Sequence, residues 1–530
     1  MEDPTDEKED GVRYGFVIDH NRCIGCHACT VACKEEHSVP VGVFRTWVKY
    51  IEKGSFPNTS RHFGVMRCNH CDNAPCVQIC PTQALHYRED RIVDFDNSRC
   101  IGCKSCMQAC PYDALYIDPN TNTAAKCNFC SHRVELNLEP ACVVVCPTQA
   151  ISAGDLDDPH SNVSTIIATQ KVASRKPHKG TQPKLFYAGI EGDFLQPEMM
   201  IPQSSHLFAA HNPAANPNGL LDMGVTHAPG SARVVYDVAH PQPWGSIPSF
   251  YLWTKSIAAG VLMVAAILLG LMGSTETSAA TNLLLRVVSP AITIIFVGIT
   301  ALLLVADLKR WDRFYFILIK PNPTSWLVWG TWILIAYGAL ATAWFACGWL
   351  GIAVPGALAL FASIAGVGSA CYSAFLFAQA KGRDLWQSPL FLWMLAAQAL
   401  VAGAATILPI AAAFPLVGLA DPLVGSMEHT VRTILAAGIA LNGLMVIGQV
   451  ALPSYNAEAA RAVAAMTRGG LGQAFWLGVI VAGCILPLIL VGLAAQVGSA
   501  TSLFAAMLAL TGLFFFDEVW IKAGQAPPLS

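Results

Sequence analysis

Sixteen of the nineteen cysteines lie in four compact groups before residue 147, and no other feature restricts the fold as strongly. The groups are Cys23, Cys26, Cys29 and Cys33; Cys68, Cys71, Cys76 and Cys80; Cys100, Cys103, Cys106 and Cys110; and Cys127, Cys130, Cys142 and Cys146. Groups one and three read C-x2-C-x2-C-x3-C, the bacterial ferredoxin run. There a tight loop points three thiolates at one cubane, and the fourth ligates the other cluster of a pair. Groups two and four are the variants C-x2-C-x4-C-x3-C-P and C-x2-C-x11-C-x3-C-P. The alternatives fail on spacing. Cysteines two residues apart strain a disulfide outside a redox motif, and disulfide scaffolds are short secreted chains. Zinc ribbons use C-x-x-C pairs but lack third and fourth cysteines at these intervals. The pattern predicts four 4Fe-4S clusters, a row that conducts single electrons.

Groups one and three share Arg-Cys-Ile-Gly-Cys, at Arg22–Cys26 and Arg99–Cys103, and groups two and four share Cys-Pro-Thr-Gln-Ala, at Cys80–Ala84 and Cys146–Ala150. The order A, B, A, B is an internal duplication. Each ferredoxin unit needs two groups that exchange fourth ligands. Neighbouring groups could pair, or the pairing could be nested, one with four and two with three; spacing does not choose. The expected fold is an α+β double ferredoxin-like cluster domain over residues 11–160. Within it, Val43–Ile51 alternates apolar and polar and reads as a strand. His27, between two ligands, reads as a surface-loop residue.

Composition matters here because it is uneven. Charged residues are 13% of the chain, against about 25% in soluble domains, and the deficit lies after residue 248. Eight apolar runs follow, roughly 249–273, 287–306, 325–350, 355–380, 388–414, 429–452, 472–496 and 498–516, each long enough to cross a hydrocarbon layer of about 30 Å. They predict an all-α polytopic bundle of eight helices over 248–517 in a lipid bilayer, with a tail at 518–530. Residues 161–247, rich in Pro, Asn, His, Gly and Ser, read as an irregular segment wrapping the cluster domain, with a short strand near Leu185–Ile190. A net charge of −3 points to no nucleic-acid partner.

Lys309, Arg310, Arg313, Lys320, Lys381, Arg383, Arg461, Arg468 and Lys522 fall in breaks on one side of the bundle, and Arg286 and Arg432 on the other. The nine-residue side is also the N-terminal side, so the cluster domain is expected to be cytoplasmic at the cell inner membrane. Basic loops facing a cluster domain would also serve docking. The acidic opening Met1–Pro4 reads as carrying no secretory signal.

Ionisable residues in or near spans are functional candidates. Lys255, one turn into the first span, and Asp307, ending the second, are candidates for binding quinone or passing its protons, singly or as an ion pair. His429, with Glu428, opens the sixth span on the far side and is a weaker candidate for a proton path. Gln398, Asn442 and Gln449 read as interhelical hydrogen-bonders. Cys347, Cys371 and Cys484, one to a span, read as packing residues.

Two stretches carry a family resemblance. Cys26-His27-Ala28-Cys29-Thr30-Val31-Ala32-Cys33-Lys34, Gly42-Val43-Phe44-Arg45-Thr46 and Pro140-Ala141-Cys142 resemble the four-cluster electron-transfer subunits of molybdopterin oxidoreductases, such as dimethyl-sulfoxide, polysulfide and tetrathionate reductases. That resemblance implies nested pairing: Cys23, Cys26 and Cys29 with Cys146; Cys33 with Cys127, Cys130 and Cys142; Cys68, Cys71 and Cys76 with Cys110; Cys80 with Cys100, Cys103 and Cys106. The family often has glycine where Asn137 stands, and Asn tolerates a left-handed backbone. Lys255–Gly260, Asp307-Leu308, Arg313-Phe314-Tyr315, Pro323–Trp326, Arg468-Gly469-Gly470 and Phe475-Trp476 resemble the eight-span quinone-reactive anchors of the polysulfide-reductase (NrfD-like) type. Those two subunits are usually separate chains; here they are fused.

Together the resemblances imply an electron-transfer and membrane-anchor subunit. It would join menaquinone or ubiquinone to a partner molybdopterin-containing catalytic subunit acting on a sulfur-oxyanion-like substrate. The alternative is an iron–sulfur and quinone module of a larger respiratory assembly that feeds a cytochrome or couples to ion translocation. Substrate catalysis is expected on the partner, since the chain has no nucleotide-binding glycine loop, catalytic triad or zinc-hydrolase pattern.

Overall fold

The computed structural model describes residues 11–530 apart from 56, 191, 198–199, 201–231, 273–277, 414–421 and 498. The acidic opening and the 201–231 part of the expected wrapping segment lie outside the described residues.

The cluster half is held together by short strands. Tyr14–Asp19, just before the first cysteine group, pairs antiparallel with Ile151–Asp155, just after the fourth, with Phe16 opposite Ala153. This pairing brings the two ends of the cysteine-bearing region together. Leu185–Ala188 adds in parallel on the other side of Tyr14–Asp19, and Val172–Ala173 completes a four-stranded sheet. A hairpin of Thr46–Ser55 with Asn58–Arg67 is joined by Ala232–Tyr236. The strand expected over 43–51 therefore begins at Thr46 and runs to Ser55. The segment read as irregular after residue 160 instead contributes the helix Asn162–Thr169 and three strands to these sheets. One of these strands, Leu185–Ala188, is the short strand expected near Leu185–Ile190; Val172–Ala173 and Ala232–Tyr236 carry too little periodicity to be legible.

The duplicated strings fold alike. Gly25 and Gly102 have φ of 71° and 68°, His27 and Lys104 have 60° and 64°, and Gln83 and Gln149 have 54° and 52°. Asn137 takes the left-handed conformation, at φ 57°. At Gly102 a side chain is excluded twice over, because a Cβ there would lie 2.6 Å from the Lys309 Cβ on a membrane-domain loop.

Among the described residues eight helices are long and apolar enough to cross a membrane: Ile247–Leu271, Ala279–Ala306, Trp326–Trp349, Gly356–Gln379, Leu390–Ala413, Gly425–Ala451, Ala474–Ala494 and Ala500–Gln525. They are called spans one to eight. Spans one and five cross where a Cβ on Gly260 would strike the Ala399 carbonyl, and one on Gly403 would strike Gly260. Small residues allow this backbone approach. Span two starts at Ala279, eight residues before the expected 287, with Ser278 capping it by accepting from the Thr281 N–H. Its polar first turns masked it in the sequence, but Trp344 of span three donates to the Leu285 carbonyl and covers them. Span eight passes the expected boundary at 517 and ends at Gln525. Glu518 and Lys522, which resembled a membrane exit, neutralise each other across one helical turn at 2.5 Å.

The residues after span eight thread under the cluster half. Lys49 donates to the Ser530 carbonyl at 2.7 Å, and Arg175 to that of Leu529 at 2.9 Å. Lys176 and Lys179 pair with Glu458, and Lys179 also with Asp384. A second buried network joins His240 to Asp113 at 2.5 Å and to Asp237 at 3.3 Å, with Lys49 on Asp237 at 3.2 Å. Burial opposes the charge on His240, but the two carboxylates outweigh it and raise its pKa from 6.5 to about 10. The stabilisation is therefore complete below pH 6.5 and is lost as pH rises towards 10. Solubilised protein should lose on the order of a few kcal/mol across that interval. His240→Gln should flatten this part of the profile, read as thermal-unfolding midpoint against pH; a parallel profile would refute the assignment.

Candidate functional site

The sixteen cysteines, none of them in a disulfide, form four cages. Cys80 lines one cavity with Cys100, Cys103 and Cys106. Cys110 lines a second with Cys68, Cys71 and Cys76. Cys33 lies among Cys127, Cys130 and Cys142, and Cys146 lies beside Cys23, with Cys26 and Cys29 adjacent. The arrangement is nested. Its cause is topological: the Tyr14–Asp19 and Ile151–Asp155 pairing closes group four onto group one, and the helices Pro75–Ile79 and Ser105–Ala109 set group two against group three.

The cages fit iron–sulfur clusters. Burial pushes the Cys29 and Cys110 thiols up to about 11, and those of Cys103 and Cys130 up to about 12. Burial alone favours the neutral thiol, so these cysteines would act as thiolate ligands only with cluster iron beside them to offset the charge. Several sulfurs already accept backbone N–H bonds: Cys68 from His70 at 3.4 Å, Cys100 from Gly102 and Ala124 at 3.4 and 3.3 Å, and Cys146 from Ala150 at 3.2 Å. Buried donors on Arg67, Asn69 and His70 have no protein partner among the described residues, as expected of groups that face cluster sulfides. His27, read as a loop residue, sits against Tyr50, its Nε2 3.1 Å from the hydroxyl.

The cage of Cys80, Cys100, Cys103 and Cys106 meets the membrane domain directly. Asn322 donates to the Cys80 carbonyl at 2.8 Å, Arg313 to that of Cys100 at 3.3 Å, and Trp244 to that of Cys103 at 3.3 Å. The Lys309 N–H reaches the Gly102 carbonyl at 3.3 Å. Lys104, inside the Cys103–Cys106 loop, forms an ion pair with Asp307 at 2.9 Å, and both are largely buried. Burial raises the Asp307 carboxyl above its ordinary value while Lys104 pulls it down. Lys104→Ala leaves that carboxylate without its counter-charge at the junction. It should slow electron transfer between the membrane and this cage roughly 10- to 100-fold, read by rapid mixing with a quinol analogue; an unchanged rate would make the pair a docking contact only.

Asp307 and Lys255 are therefore not partners, as the sequence reading allowed. Lys255 is fully buried in span one. It donates to the Ser373 hydroxyl at 2.5 Å and the Ala370 carbonyl at 3.1 Å, and lies 4.5 Å from the centre of the Tyr372 ring. Its acidic neighbour is Asp517 of span eight. Asp517 is 1% exposed, and its Oδ1 has no hydrogen-bond partner among the described residues. The sequence reading missed Asp517 because it ended the span there; an acid inside a run that resumes apolar character was the available signal. Tyr251, one turn before Lys255, lies within electrostatic reach of Asp307, Asp517 and Tyr372. His429 is exposed at the opposite end of the bundle, and Glu428 pairs with Arg432 at 3.4 Å. Neither reaches this junction. Gln449 accepts from Ser388 at 2.5 Å, whereas the Gln398 amide has no partner among the described residues.

The basic loops have a docking role. Besides Lys309 and Arg313, Arg310 donates to the Thr121 carbonyl at 3.3 Å, Arg383 to the Gln108 side chain at 2.9 Å, and Arg461 to the Pro197 carbonyl at 3.5 Å. The charge bias thus reports contact with the cluster half and loses its force as an independent sign of membrane orientation.

Residues 22–85 and 60–156 each match a 4Fe-4S dicluster domain family, and residues 235–527 match the family described as polysulphide reductase, NrfD. The cluster half is 47% identical over 191 residues to a tetrathionate reductase subunit of Salmonella typhimurium, covering 35% of this chain and 76% of the relative. It is 43% identical over 177 residues to a polysulfide reductase polypeptide of Wolinella succinogenes, covering 33% and 93%. It is 36% identical over 226 residues to the arsenate respiratory reductase iron-sulfur subunit of a Shewanella species, covering 33% and 96%. With more than half its length in the matched membrane region, the chain is a multi-pass membrane protein of the polysulphide reductase NrfD family, preceded in the same polypeptide by an iron–sulfur dicluster region.

Proposed function

We propose that this chain carries electrons between a membrane quinone and a partner molybdopterin-containing catalytic subunit, and anchors that subunit to the membrane. One observation carries the reading: the Cys80, Cys100, Cys103 and Cys106 cage is pressed against the loops after span two and before span three, with Lys255 and Asp517 buried in the spans behind it. A quinol releases two protons with its two electrons, while bound clusters take electrons singly. The chain's own residues must therefore receive protons near this cage. Lys255, Asp517 and Asp307 are the groups proposed to do so.

Four 4Fe-4S clusters held by the four nested sets give the relay its length. At its other end Cys26 is exposed, and Ile24, Val31, Val144 and Val145 present apolar side chains to solvent. Such a patch beside the outermost cage supports docking of a catalytic subunit there. Relatives named for tetrathionate, polysulfide and arsenate support an oxidised inorganic substrate on that partner. A cytoplasmic cluster half at the inner membrane completes the proposal.

Purification with native partners, followed by iron and molybdenum analysis and a quinol-linked substrate screen, tests it. About sixteen irons per chain, four from each cubane, with a molybdenum-containing partner would support the reading. A haem partner without molybdenum would replace it with a respiratory module feeding a cytochrome.

A further inference from the structure

Arg67 ends the strand Asn58–Arg67 immediately before Cys68, and it is fully buried. Its Nη1 donates to the Cys142 sulfur at 3.1 Å. Its guanidinium stacks 4.6 Å from the centre of the Phe16 ring. Phe16 lies on the strand Tyr14–Asp19, the one whose pairing closes the fourth cysteine group onto the first. The plane of the guanidinium is therefore fixed by the element that builds both cages. Two further nitrogens, Nε and Nη2, have no hydrogen-bond partner among the described residues. A buried guanidinium with unused donors is costly in an interior of protein alone. Its sulfur neighbours explain it: Cys142 and Cys127 belong to one cage and Cys29 to the next. The fork geometry presents donors in several directions from one rigid cation, which a lysine cannot do.

We infer that Arg67 is a shared positioning cation that sets the reduction potentials of two neighbouring clusters together, in the Cys23/Cys26/Cys29/Cys146 cage and the Cys33/Cys127/Cys130/Cys142 cage. This rests on the cluster reading above. Each cluster gains negative charge when it accepts an electron, and a fixed cation, hydrogen-bonded to Cys142 in one cage and within electrostatic reach of Cys29 in the other, favours that state. One cation acting on both keeps their potentials in step, so that passage between them meets no step created by unequal surroundings. The other two cages have their own cations: Lys126 acts on Cys76, and Arg313 on Cys100.

The test uses the full-length membrane protein carrying Arg67→Met or Arg67→Lys, with iron content and an electron-spin-resonance redox titration of all four signals. Arg67→Met should lower two midpoint potentials and leave two unmoved. Arg67→Lys, which keeps charge but loses the fork, should lower the same two by less. If Arg67→Met loses iron, Arg67→Lys decides alone. Two lowered midpoints support the inference; one lowered midpoint, or none, at full iron content overturns it. Native protein without cubane signals would instead overturn the cluster reading beneath it.

Discussion

Replacing Cys103 with Ser should cut quinol-driven reduction of the remaining clusters by about 100-fold or more, while the eight spans remain in the membrane. Cys103 belongs to the cage whose backbone carbonyls accept hydrogen bonds from the membrane-domain loops. This cage receives the loop between spans two and three, while the Cys68, Cys71, Cys76 and Cys110 cage meets the loop after span four at Gly382; electron entry is expected at the first of these. A serine oxygen is a poorer ligand for iron than a thiolate, so this cluster should be lost or converted. The rest of the fold has its own supports: the Gln108 amide to Gln525 at 2.6 Å, Arg383 to Gln108 at 2.9 Å, and Asn322 to Cys80 at 2.8 Å. The measurement is electron-spin resonance after reduction by a quinol analogue and, separately, by dithionite. Dithionite should still reduce the other three clusters. Full quinol-driven reduction at unchanged iron content would remove this cage from the path.

Lys255→Leu should lower quinol oxidation about 100-fold, the size general acid–base participation typically contributes, and leave dithionite reduction of the clusters intact. Lys255 is not a snorkelling anchor, because its ammonium is enclosed by Ser373, the Ala370 carbonyl and the Tyr372 ring. The substitution also removes the cation within electrostatic reach of the buried Asp517, with which it makes no direct ion pair among the described residues. Loss of fold is separated from loss of function by pairing Lys255→Leu with Asp517→Leu. The double variant should assemble better than the single one and still fail to oxidise quinol. If the double variant regains quinol oxidation, the two residues serve packing alone.

Much of the protein was legible in its sequence because the relevant signals are local. A cubane needs three thiolates from one loop, so C-x2-C-x2-C announces itself in seven residues. A span needs about 20 apolar residues in a row, so all eight appear as runs. The errors fell where an element depends on distant neighbours. The helix end at 279–286 looked polar until span three covered it, and span eight was cut short at acids that are neutralised or enclosed in the bundle. The strand at Val172–Ala173 is held by its partner and not by its own pattern.

The candidate site divides the same way. The identity of the sixteen cysteines and the place of Lys255 within span one follow from spacing and hydropathy, properties of neighbouring residues along the chain. Which cysteines share a cage, which cage meets the membrane, and which charges are partners are facts about residues far apart in sequence. Asp307 was a candidate from its position alone, but its partner lies 203 residues away in a cluster loop. Arg67 carried no sequence signal, since one arginine beside a cysteine is unremarkable until the sheet folds it between two cages. Local chemistry thus determined that the chain holds clusters and spans a membrane. Only tertiary structure decided the order of the relay and the charges around it, because ligand exchange and buried ion pairs are made between segments that backbone pairing must first bring together.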